Sequence, residues 1–366
     1  MTAAGLVALP GAAQAAFDPW QRVHSPRPSG GFGVWFDSAA VSDSDAWMVG
    51  DDEGGGPPAF IAHWNGRAWH RQDAPAGMAA IGSVSAVSSN DVWAAALCGS
   101  KGSACVIRYN GSRWRRAGRI LGSFSSASIA ARGPDDVWLL MSGSNPVTGA
   151  ATSYAYHWNG SSWTAGRLPG VRGTQVTDVT WVPGSEQFFA CGLRYNGFVA
   201  NTALWHFVGG RWQVVPQQAS ADSDEILYSV TATSPQNAWA VGDVNQYRPL
   251  VERLTPEGWR RTSTPPLPHP RASEGAGLSG VASSGPNDVW AVGIDDRDDE
   301  IANTLLAHFD GSSWRTYEIP EEWAIGTAGY ADTVVHVPNS PHYWAGGSFY
   351  TSTLPHGQNQ AMILRK

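Results

Sequence analysis

The sequence predicts a seven-bladed β-propeller of four-stranded antiparallel blades, and three observations lead to this prediction. A strand motif centred on an aromatic residue returns along the 366-residue chain at intervals of 45 to 54 residues. A second motif, a tight hairpin followed by Trp, alternates with the first. A segment near the N-terminus supplies the hairpin Trp that the last repeat lacks. A period kept from Trp47 to Trp344 corresponds to four strands per repeat, and a β-sandwich does not explain it.

The clearest repeat runs from Ser284 to Gly293 and, after a variable stretch, from His308 to Trp314. Gly-Pro-Asn-Asp is typical of a turn, and the Val-Trp-Ala-Val that follows is an apolar run of strand formers. Asp310-Gly311 is a preferred hairpin dipeptide, and aromatic residues flank it. Phe takes the place of Trp in the fourth repeat. The aromatic residues of the second strands are Trp47, Trp93, Trp138, Phe189, Trp239, Trp290 and Trp344.

Six hairpin Trp residues for seven repeats leave the last blade one strand short. The chain ends with Ala361 to Lys366, which resembles a third strand with nothing after it. Trp20 to Pro26 matches the pattern of Trp314 to Pro320. We therefore predict that the N-terminal segment completes the last blade, which removes an exposed sheet edge. The six hairpin residues are Trp69, Trp114, Trp163, Trp212, Trp259 and Trp314.

This arrangement predicts one propeller domain over residues 16–366. Its blades are expected at about 31–75, 76–120, 121–170, 171–218, 219–266, 267–320, and 321–366 together with 16–26.

The composition limits the possible partners. Charged residues make up 15% of the chain, and the formal net charge is −7. Because phosphate binding needs a basic surface, we expect no nucleic-acid partner. No run of about 18 apolar residues is present, so no membrane-spanning helix is predicted. We expect a monomer.

Residues 1–15 are predicted to be the remnant of a signal peptide. The segment carries no charge, and Ala13-Gln14-Ala15 before Ala16 fits a small-x-small cleavage site. A disordered Ala-rich leader is the alternative. A signal peptide would make the protein secreted and extracytoplasmic.

The three cysteines fit an oxidising compartment. Cys98 ends the second strand of blade 2, Cys105 begins its third, and a short polar loop separates them. Neighbouring antiparallel strands can satisfy disulfide geometry, so a Cys98–Cys105 disulfide is predicted, with two free thiols as the alternative. Cys191 replaces the Val292 of the clear repeat and is expected to be a small buried hydrophobe.

The two faces of the predicted propeller differ. The turn face carries the turns between strands 1 and 2 and between strands 3 and 4, which are short and repetitive. The loop face carries the connections between strands 2 and 3 and between blades, which are long and dissimilar. Recognition usually involves loops on a rigid scaffold, so the loop face around the central channel is the predicted ligand-binding surface. Its long segments are 51–58, 142–153, 192–202, 295–304, 348–360, 26–35, 264–277 and 319–330.

Carboxylates and aromatic residues are expected at the mouth of the channel. Asp37 and Asp178 fall at equivalent places in their repeats, and Asp332 is within one residue of them. Paired carboxylates support acid–base catalysis, but they also hold channel waters, so these three are candidate catalytic residues only. Aromatic rings can stack on a sugar or a peptide. The candidate ligand-binding residues are Trp35, Asp37, Asp178, Tyr228, Trp323 and Tyr330.

No metal site is predicted with any strength. The four histidines that precede the third-strand aromatic lie in different blades and cannot converge on one ion. The aspartates before the second-strand Trp are expected to accept backbone N–H bonds in the turns. Asp295, Asp296 and Asp298 form the densest acidic run and are weak calcium candidates, with a solvated loop as the alternative. The histidines are His63, His157, His206 and His308, and the aspartates are Asp45, Asp91, Asp136 and Asp288.

The repeat resembles several propeller families without matching one fully. Ala-Val-Gly followed by an aromatic residue and Trp resembles a kelch repeat, although the Gly-Gly pair occurs only at Gly346-Gly347. The Gly-x-x-Trp hairpin resembles half of an Asp-box of sialidase-type propellers. Val-Trp-Ala-Val resembles the tectonin repeats of propeller lectins. The arginine triad of sialidases and the copper ligands of galactose oxidase have no counterparts that we can map, so the resemblance implies a fold and not an activity.

Three functions remain open from the sequence. The first is a secreted recognition propeller that binds a glycan or an extracellular protein on the loop face. The second is a secreted hydrolase or lyase that uses acidic residues at the channel mouth. The third is a structural subunit of an extracellular assembly. The absence of a short catalytic motif favours binding, and no cofactor is predicted beyond a possible calcium ion.

Overall fold

The computed structural model describes the backbone of residues 20–26, 33–52, 59–98, 103–120, 124–144, 151–170, 173–217, 223–246, 248–267, 275–296, 303–317, 319, 329–351 and 358–366. Within these ranges the chain forms seven antiparallel sheets of four strands each, which confirms the predicted fold. No helix in the described ranges is long and apolar enough to cross a membrane.

The strands follow one another through the blades in chain order. Blade 1 holds β2 (Val34–Ser42), β3 (Asp45–Asp51), β4 (Ala59–Trp64) and β5 (Trp69–Gln72). Blade 2 holds β6 (Met78–Ser88), β7 (Asp91–Cys98), β8 (Ser103–Tyr109) and β9 (Trp114–Ile120). Blade 3 holds β10 (Phe124–Gly133), β11 (Asp136–Ser144), β12 (Ala151–Trp158) and β13 (Trp163–Arg167). Blade 4 holds β14 (Thr174–Trp181), β15 (Phe188–Asn196), β16 (Val199–Val208) and β17 (Arg211–Val215).

Blade 5 holds β18 (Glu225–Ser234), β19 (Asn237–Val244), β20 (Arg248–Thr255) and β21 (Gly258–Arg261). Blade 6 holds β22 (Gly275–Gly285), β23 (Asp288–Asp296), β24 (Asn303–Phe309) and β25 (Trp314–Tyr317). Blade 7 holds β26 (Gly329–His336), β27 (Tyr343–Thr351), β28 (Gln358–Arg365) and, from the other end of the chain, β1 (Gln21–Val23).

The N-terminal strand closes the ring, as the sequence predicted. β1 pairs antiparallel with β28, and Arg22 lies opposite Leu364. Trp20 is only 6% exposed, and its ring meets Trp290 of blade 6 edge-to-face at a centroid distance of 5.2 Å. Because β1 covers the outer edge of β28, the last blade has four strands like the others.

One aromatic contact recurs at all seven blade interfaces. The second-strand aromatic of each blade meets the fourth-strand Trp of the next blade edge-to-face, at interplanar angles of 80 to 90°. Edge-to-face pairs contribute about 0.5–1.5 kcal/mol beyond the burial of their area. The pairs are Trp47–Trp114, Trp93–Trp163, Trp138–Trp212, Phe189–Trp259, Trp239–Trp314, Trp290–Trp20 and Trp344–Trp69.

The other side of each second-strand aromatic is covered by a cationic or imidazole side chain from the third strand. His63 stacks on Trp47 at 4.0 Å, and the guanidinium of Arg108 lies 4.6 Å from the ring centre of Trp93. The same arrangement is found for His157, His206, Arg253, His308 and Arg365. The histidines are therefore structural parts of separate blades.

The aspartates before the second-strand Trp hold these third-strand side chains in place. His63 Nε2 lies 2.8 Å from Asp45 Oδ1, and His308 Nε2 lies 2.7 Å from Asp288 Oδ1. Asp136 binds His157, and Asp91 binds Arg108, in the same way. The expectation that these carboxylates serve backbone N–H groups of the turns therefore missed their main partners, which come from a strand that is distant in sequence.

A β-bulge in the first strand explains the Gly of the Ala-Val-Gly motif. In blade 6 the strand pairing shifts between Leu278 and Gly280, opposite Gly293. A Cβ at Gly293 would lie 2.0 Å from the carbonyl oxygen of Gly277, so only Gly fits. The same close approach, at 1.8 to 2.1 Å, occurs at Gly50, Gly192, Gly242 and Gly347.

The cysteines lie as the sequence predicted. Cys98 and Cys105 form a disulfide with a Cα–Cα distance of 5.8 Å. Cys191 is fully buried among apolar residues of blades 4 and 5, and burial raises the pKa of its thiol.

We predict that Gly293→Ala destabilises the protein by about 1–3 kcal/mol or more, because the new methyl group overlaps a backbone oxygen. Gly285→Ala is the control, since it lies in the same blade and a methyl group added there would meet no atom within 4 Å beyond its chain neighbours. Chemical denaturation measures both. Equal stability of the two variants would contradict the role assigned to the bulge.

We predict that Trp20→Ala lowers the free energy of unfolding by about 3–5 kcal/mol, because it removes a buried indole from the closing interface. Gln21→Ala, an exposed position on the same strand, should change it by less than about 0.5 kcal/mol. Thermal and urea unfolding test this pair. A Trp20→Ala variant that melts like the wild type would refute closure through this contact.

Candidate functional site

A cavity of about 910 Å³ occupies the centre of the ring. The first strands of all seven blades line it, and each is the edge strand of its sheet. The lining extends from the level of the bulges to the turns of the turn face, including Pro183 and Pro338. We call this space the channel cavity.

A belt of seven equivalent positions surrounds the channel at one level, and six of them carry polar side chains. Each belt residue pairs with the residue two positions after the second-strand aromatic, so the seven positions are equivalent. They are Asp37, Ser83, Ser128, Asp178, Ser229, Gly280 and Thr333.

The belt residues bind the backbone of the next blade. Side-chain oxygens of one blade accept the N–H of the residue that follows the belt position in the neighbouring blade, which links consecutive first strands. These bonds run from Val84 N to Asp37 Oδ2 (2.8 Å), Ile129 N to Ser83 Oγ (3.1 Å), Val179 N to Ser128 Oγ (3.2 Å), Val230 N to Asp178 Oδ2 (2.9 Å) and Val281 N to Ser229 Oγ (3.4 Å). A hydroxyl contact of 2.7 Å between Ser38 and Thr333 joins blades 1 and 7.

Asp178 is fully engaged by this belt. Its Oδ1 accepts bonds from Ser128 Oγ at 3.0 Å and Val179 N at 2.8 Å. Its Oδ2 accepts bonds from Ser229 Oγ at 3.2 Å and Val230 N at 2.9 Å. Burial raises the pKa of Asp178, and these four donors oppose that effect. The lone pairs of this carboxylate therefore serve the scaffold.

Asp37 has a similar environment in blade 1. Its two oxygens accept the N–H groups of Ser38 at 2.7 Å and Val84 at 2.8 Å. Burial, and next the negative charge of Asp178, raise the pKa of Asp37 to about 7. Asp37 and Asp178 thus lie at equivalent positions, and both hold neighbouring blades together.

Asp332 differs from both. It lies in the bulge of β26, one residue before the belt position, and lines the channel cavity. Its Oδ2 is buried and has no hydrogen-bond partner among the described residues. Burial alone raises the pKa of Asp332 to about 7. Of the three carboxyl groups that the sequence singled out, this is the one that the scaffold does not use.

The predicted aromatic residues are dispersed. Trp35 is fully buried and stacks on Phe60 at 4.2 Å, so its ring belongs to the core. Tyr228 lines the channel cavity, where burial first, and then the Asp243 carboxylate, raise the pKa of its phenol. Tyr330 lies on β26, opposite Ser348. Trp323 lies outside the described residues.

The predicted acidic loop begins as a strand. Asp295 is 3% exposed within β23, and Asp296 ends that strand. Asp298 lies outside the described residues. Each of the other predicted long loops contains residues outside the described ranges, whereas the segment 192–202 is described throughout.

That segment is the hairpin of β15 and β16, within the predicted loop 192–202. The strands stay paired as far as Asn196 and Val199, which leaves a two-residue turn of Gly197 and Phe198. Gly197 has φ of 66°, which suits the first position of a type II′ turn. Phe198 is fully exposed (101%), and Tyr195 is 43% exposed. The Gly at the first central position of this turn is the hairpin signal that sequence reasoning missed here.

The hairpin is anchored beside the channel. The N–H of Tyr195 donates to the carbonyl of Gly173, at the start of the first strand of blade 4, at 3.0 Å. After burial and Asp243, Tyr195 adds a further small upward effect on the pKa of Tyr228 in the channel wall. The hairpin thus carries an exposed aromatic tip and an exposed tyrosine, and it is bonded to the start of a strand that lines the channel.

No protein-family model and no curated protein matches the chain. Among solved structures, it is similar to YCF48 bound to D1 peptide, with a TM-score of 0.56 and 17% identity over 95% of this chain and 96% of that one. It is also similar to the GH74 xyloglucanase of Xanthomonas campestris, with a TM-score of 0.57 and 15% identity. That match covers 94% of this chain and 55% of the xyloglucanase.

A prolyl endopeptidase structure gives a TM-score of 0.54 and 13% identity, over 91% of this chain and 47% of that one. The chain therefore spans about half the length of these two enzymes. At such identities the likeness shows the propeller fold and no more.

We predict that Asp332→Asn stabilises the protein at pH 8 more than at pH 5, by roughly 2–3 kcal/mol, since one pKa unit corresponds to about 1.4 kcal/mol. The folded pKa is raised, so the folded state binds the extra proton between about pH 4 and 7. Stability from this group is therefore present at low pH and is lost as the pH rises to 7. Asparagine carries no charge and removes that loss.

Denaturant unfolding at the two pH values measures the effect. Glu186→Gln, at a side chain that is 87% exposed, is the matched control for the loss of one negative charge. A stability difference between Asp332→Asn and the wild type that does not change with pH would show that Asp332 is ionised without cost.

Proposed function

We propose that this protein is a secreted recognition propeller that binds another extracellular protein or a peptide through its loop face, beside the channel. The observation that carries this proposal is the β15–β16 hairpin, which holds Phe198 fully in solvent at its tip.

The hairpin has the properties of a preformed binding element. Its strands are paired from Phe188 opposite Phe207 to Asn196 opposite Val199, so the tip is held by a continuous ladder. A backbone that is already ordered loses less entropy on binding. Burying the Phe198 ring in a partner would contribute about 1.5–3 kcal/mol, and aromatic anchors of this kind dominate protein interfaces.

The chemistry of the tip favours a protein over a glycan. Phe198 has no hydrogen-bonding group, and its ring is exposed on all sides. Sugar recognition also needs polar groups close to the stacking ring to bind hydroxyls. A glycan ligand is therefore the second arm of the test below. The similar propeller that this chain matches over nearly its full length is bound to a peptide, which fits the proposal at the level of fold.

Hydrolysis has weaker support. A glycosidase of the common type uses two carboxyl groups that face the substrate. Here Asp37 and Asp178 are bonded to the belt, which leaves Asp332 as the unbonded carboxyl of the three candidates.

Secretion is supported by the Cys98–Cys105 disulfide, which persists in oxidising compartments.

The test is to select binders from a displayed random-peptide library and to screen a glycan array with the same wild-type protein. We expect peptide binders whose affinity falls about 10- to 100-fold in Phe198→Ala, as for a buried anchor of about 1.4–2.8 kcal/mol. Val214→Ala is the control, because Val214 is 49% exposed on the outer strand β17.

Peptide binding that is equal in Phe198→Ala and the wild type would place the site elsewhere. Glycan hits without peptide hits would overturn the ligand class. A protein that binds neither would favour a structural role in an assembly.

A further inference from the structure

The end of the channel cavity at the level of the bulges carries a carboxyl group beside an aromatic ring. Asp332 and Phe36 occupy the bulge positions of β26 and β2, which are first strands of adjacent blades that pack together. Both line the channel cavity, and Phe36 is 39% exposed there. A carboxyl group and an apolar ring thus border the same space at the same level of the ring.

Nothing in the described lining neutralises Asp332. Among the described residues no Arg or Lys lines the cavity, and none donates a hydrogen bond to Asp332 Oδ2. Asp37 and Asp178 are bonded to backbone N–H groups, and His336 Nε2 is bonded to the carbonyl of Ser340 at 2.8 Å. A buried ionised carboxylate without a partner is costly, and buried polar groups are nearly always bonded. Asp332 Oδ2 is therefore an unused acceptor, open to a donor from outside the chain.

We infer that the channel cavity binds an organic cation, a primary ammonium or guanidinium group on an aliphatic chain, with Asp332 as its ion partner. An ammonium or guanidinium group supplies charge-assisted N–H donors to the carboxylate. The ring of Phe36 provides a surface for the cation and for its methylene groups. Because each first strand is an edge strand, backbone carbonyls that face the channel are additional acceptors.

The dimensions and charge fit this ligand class. A cavity of about 910 Å³ is within the range of small-molecule sites. The wall from Asp332 to His336 spans four residues of strand, or about 13 Å, which accommodates an extended aliphatic chain. A net charge of −7 attracts cations to the protein. Asp332 and Phe36 line the channel in blades 7 and 1, whereas the hairpin belongs to blade 4, so the two sites use different residues.

Isothermal titration with spermidine at pH 8 and low salt tests the inference. We expect saturable binding to the wild type, at least tenfold weaker binding to Asp332→Asn, and a smaller loss in Phe36→Ala. Glu186→Gln removes one negative charge from the exposed turn face and should bind as the wild type does. Melting curves of every variant check that the fold is intact.

Two further titrations identify the source of the cation. Nα-acetyl-lysine amide and Nα-acetyl-arginine amide that bind as well as spermidine indicate a side chain of a partner, and spermidine alone indicates a free polyamine. Phe198→Ala must retain spermidine binding, because this site does not depend on the hairpin. Absence of binding to the wild type at millimolar spermidine, or equal binding to folded Asp332→Asn, would overturn the inference.

Discussion

The ring depends on the edge-to-face contact between the second-strand aromatic of one blade and the fourth-strand Trp of the next. Each blade supplies one half of two such contacts, so no blade completes its own core. The seventh contact needs a Trp that the C-terminal end does not contain, and Trp20 provides it. Closure by the N-terminal strand is therefore a consequence of how each blade is packed, since an open ring would expose Trp290 and the edge of β28.

A second constraint acts at the centre, where the first strands converge. There the blades are joined by side-chain to backbone bonds from the belt residues, and either Ser or Asp can provide the acceptor. Asp178 and Ser128 occupy equivalent positions, and each accepts a hydrogen bond from a backbone N–H of the next blade. Equivalence within the repeat is thus evidence for a structural role. Asp332 lies one residue before the belt position, so within the described ranges it does not bond to the next blade, and it faces the channel.

The periodic part of the molecule could be predicted from the sequence. The blade number, Phe189 in a Trp position, the closing strand and the disulfide all follow from spacing and residue type. The functions of single polar side chains could not be predicted from the sequence. They depend on β-bulges that shift the strand pairing by one residue. Asp37 follows the bulge of its strand and Asp332 lies in the bulge of its own strand, and the one-residue offset between them in the repeat does not reveal this difference. The partners of Asp45 and Asp288 were missed because they come from the third strand.

Function in a repeat of this kind is expected where the repeat is broken. A side chain that recurs at every blade interface is required to close the ring, so it is not available for contact with a ligand. Phe198 at a hairpin tip, and the combination of Phe36 with Asp332 in the bulges of adjacent blades, are not repeated among the described first strands and hairpins, although Tyr228 is an aromatic residue at the bulge of blade 5. Phe198 belongs to blade 4, whereas Phe36 and Asp332 belong to blades 1 and 7, so the two proposed sites share no residue. Independent binding at the two sites is the simplest consequence of this architecture, because neither site uses a residue of the other.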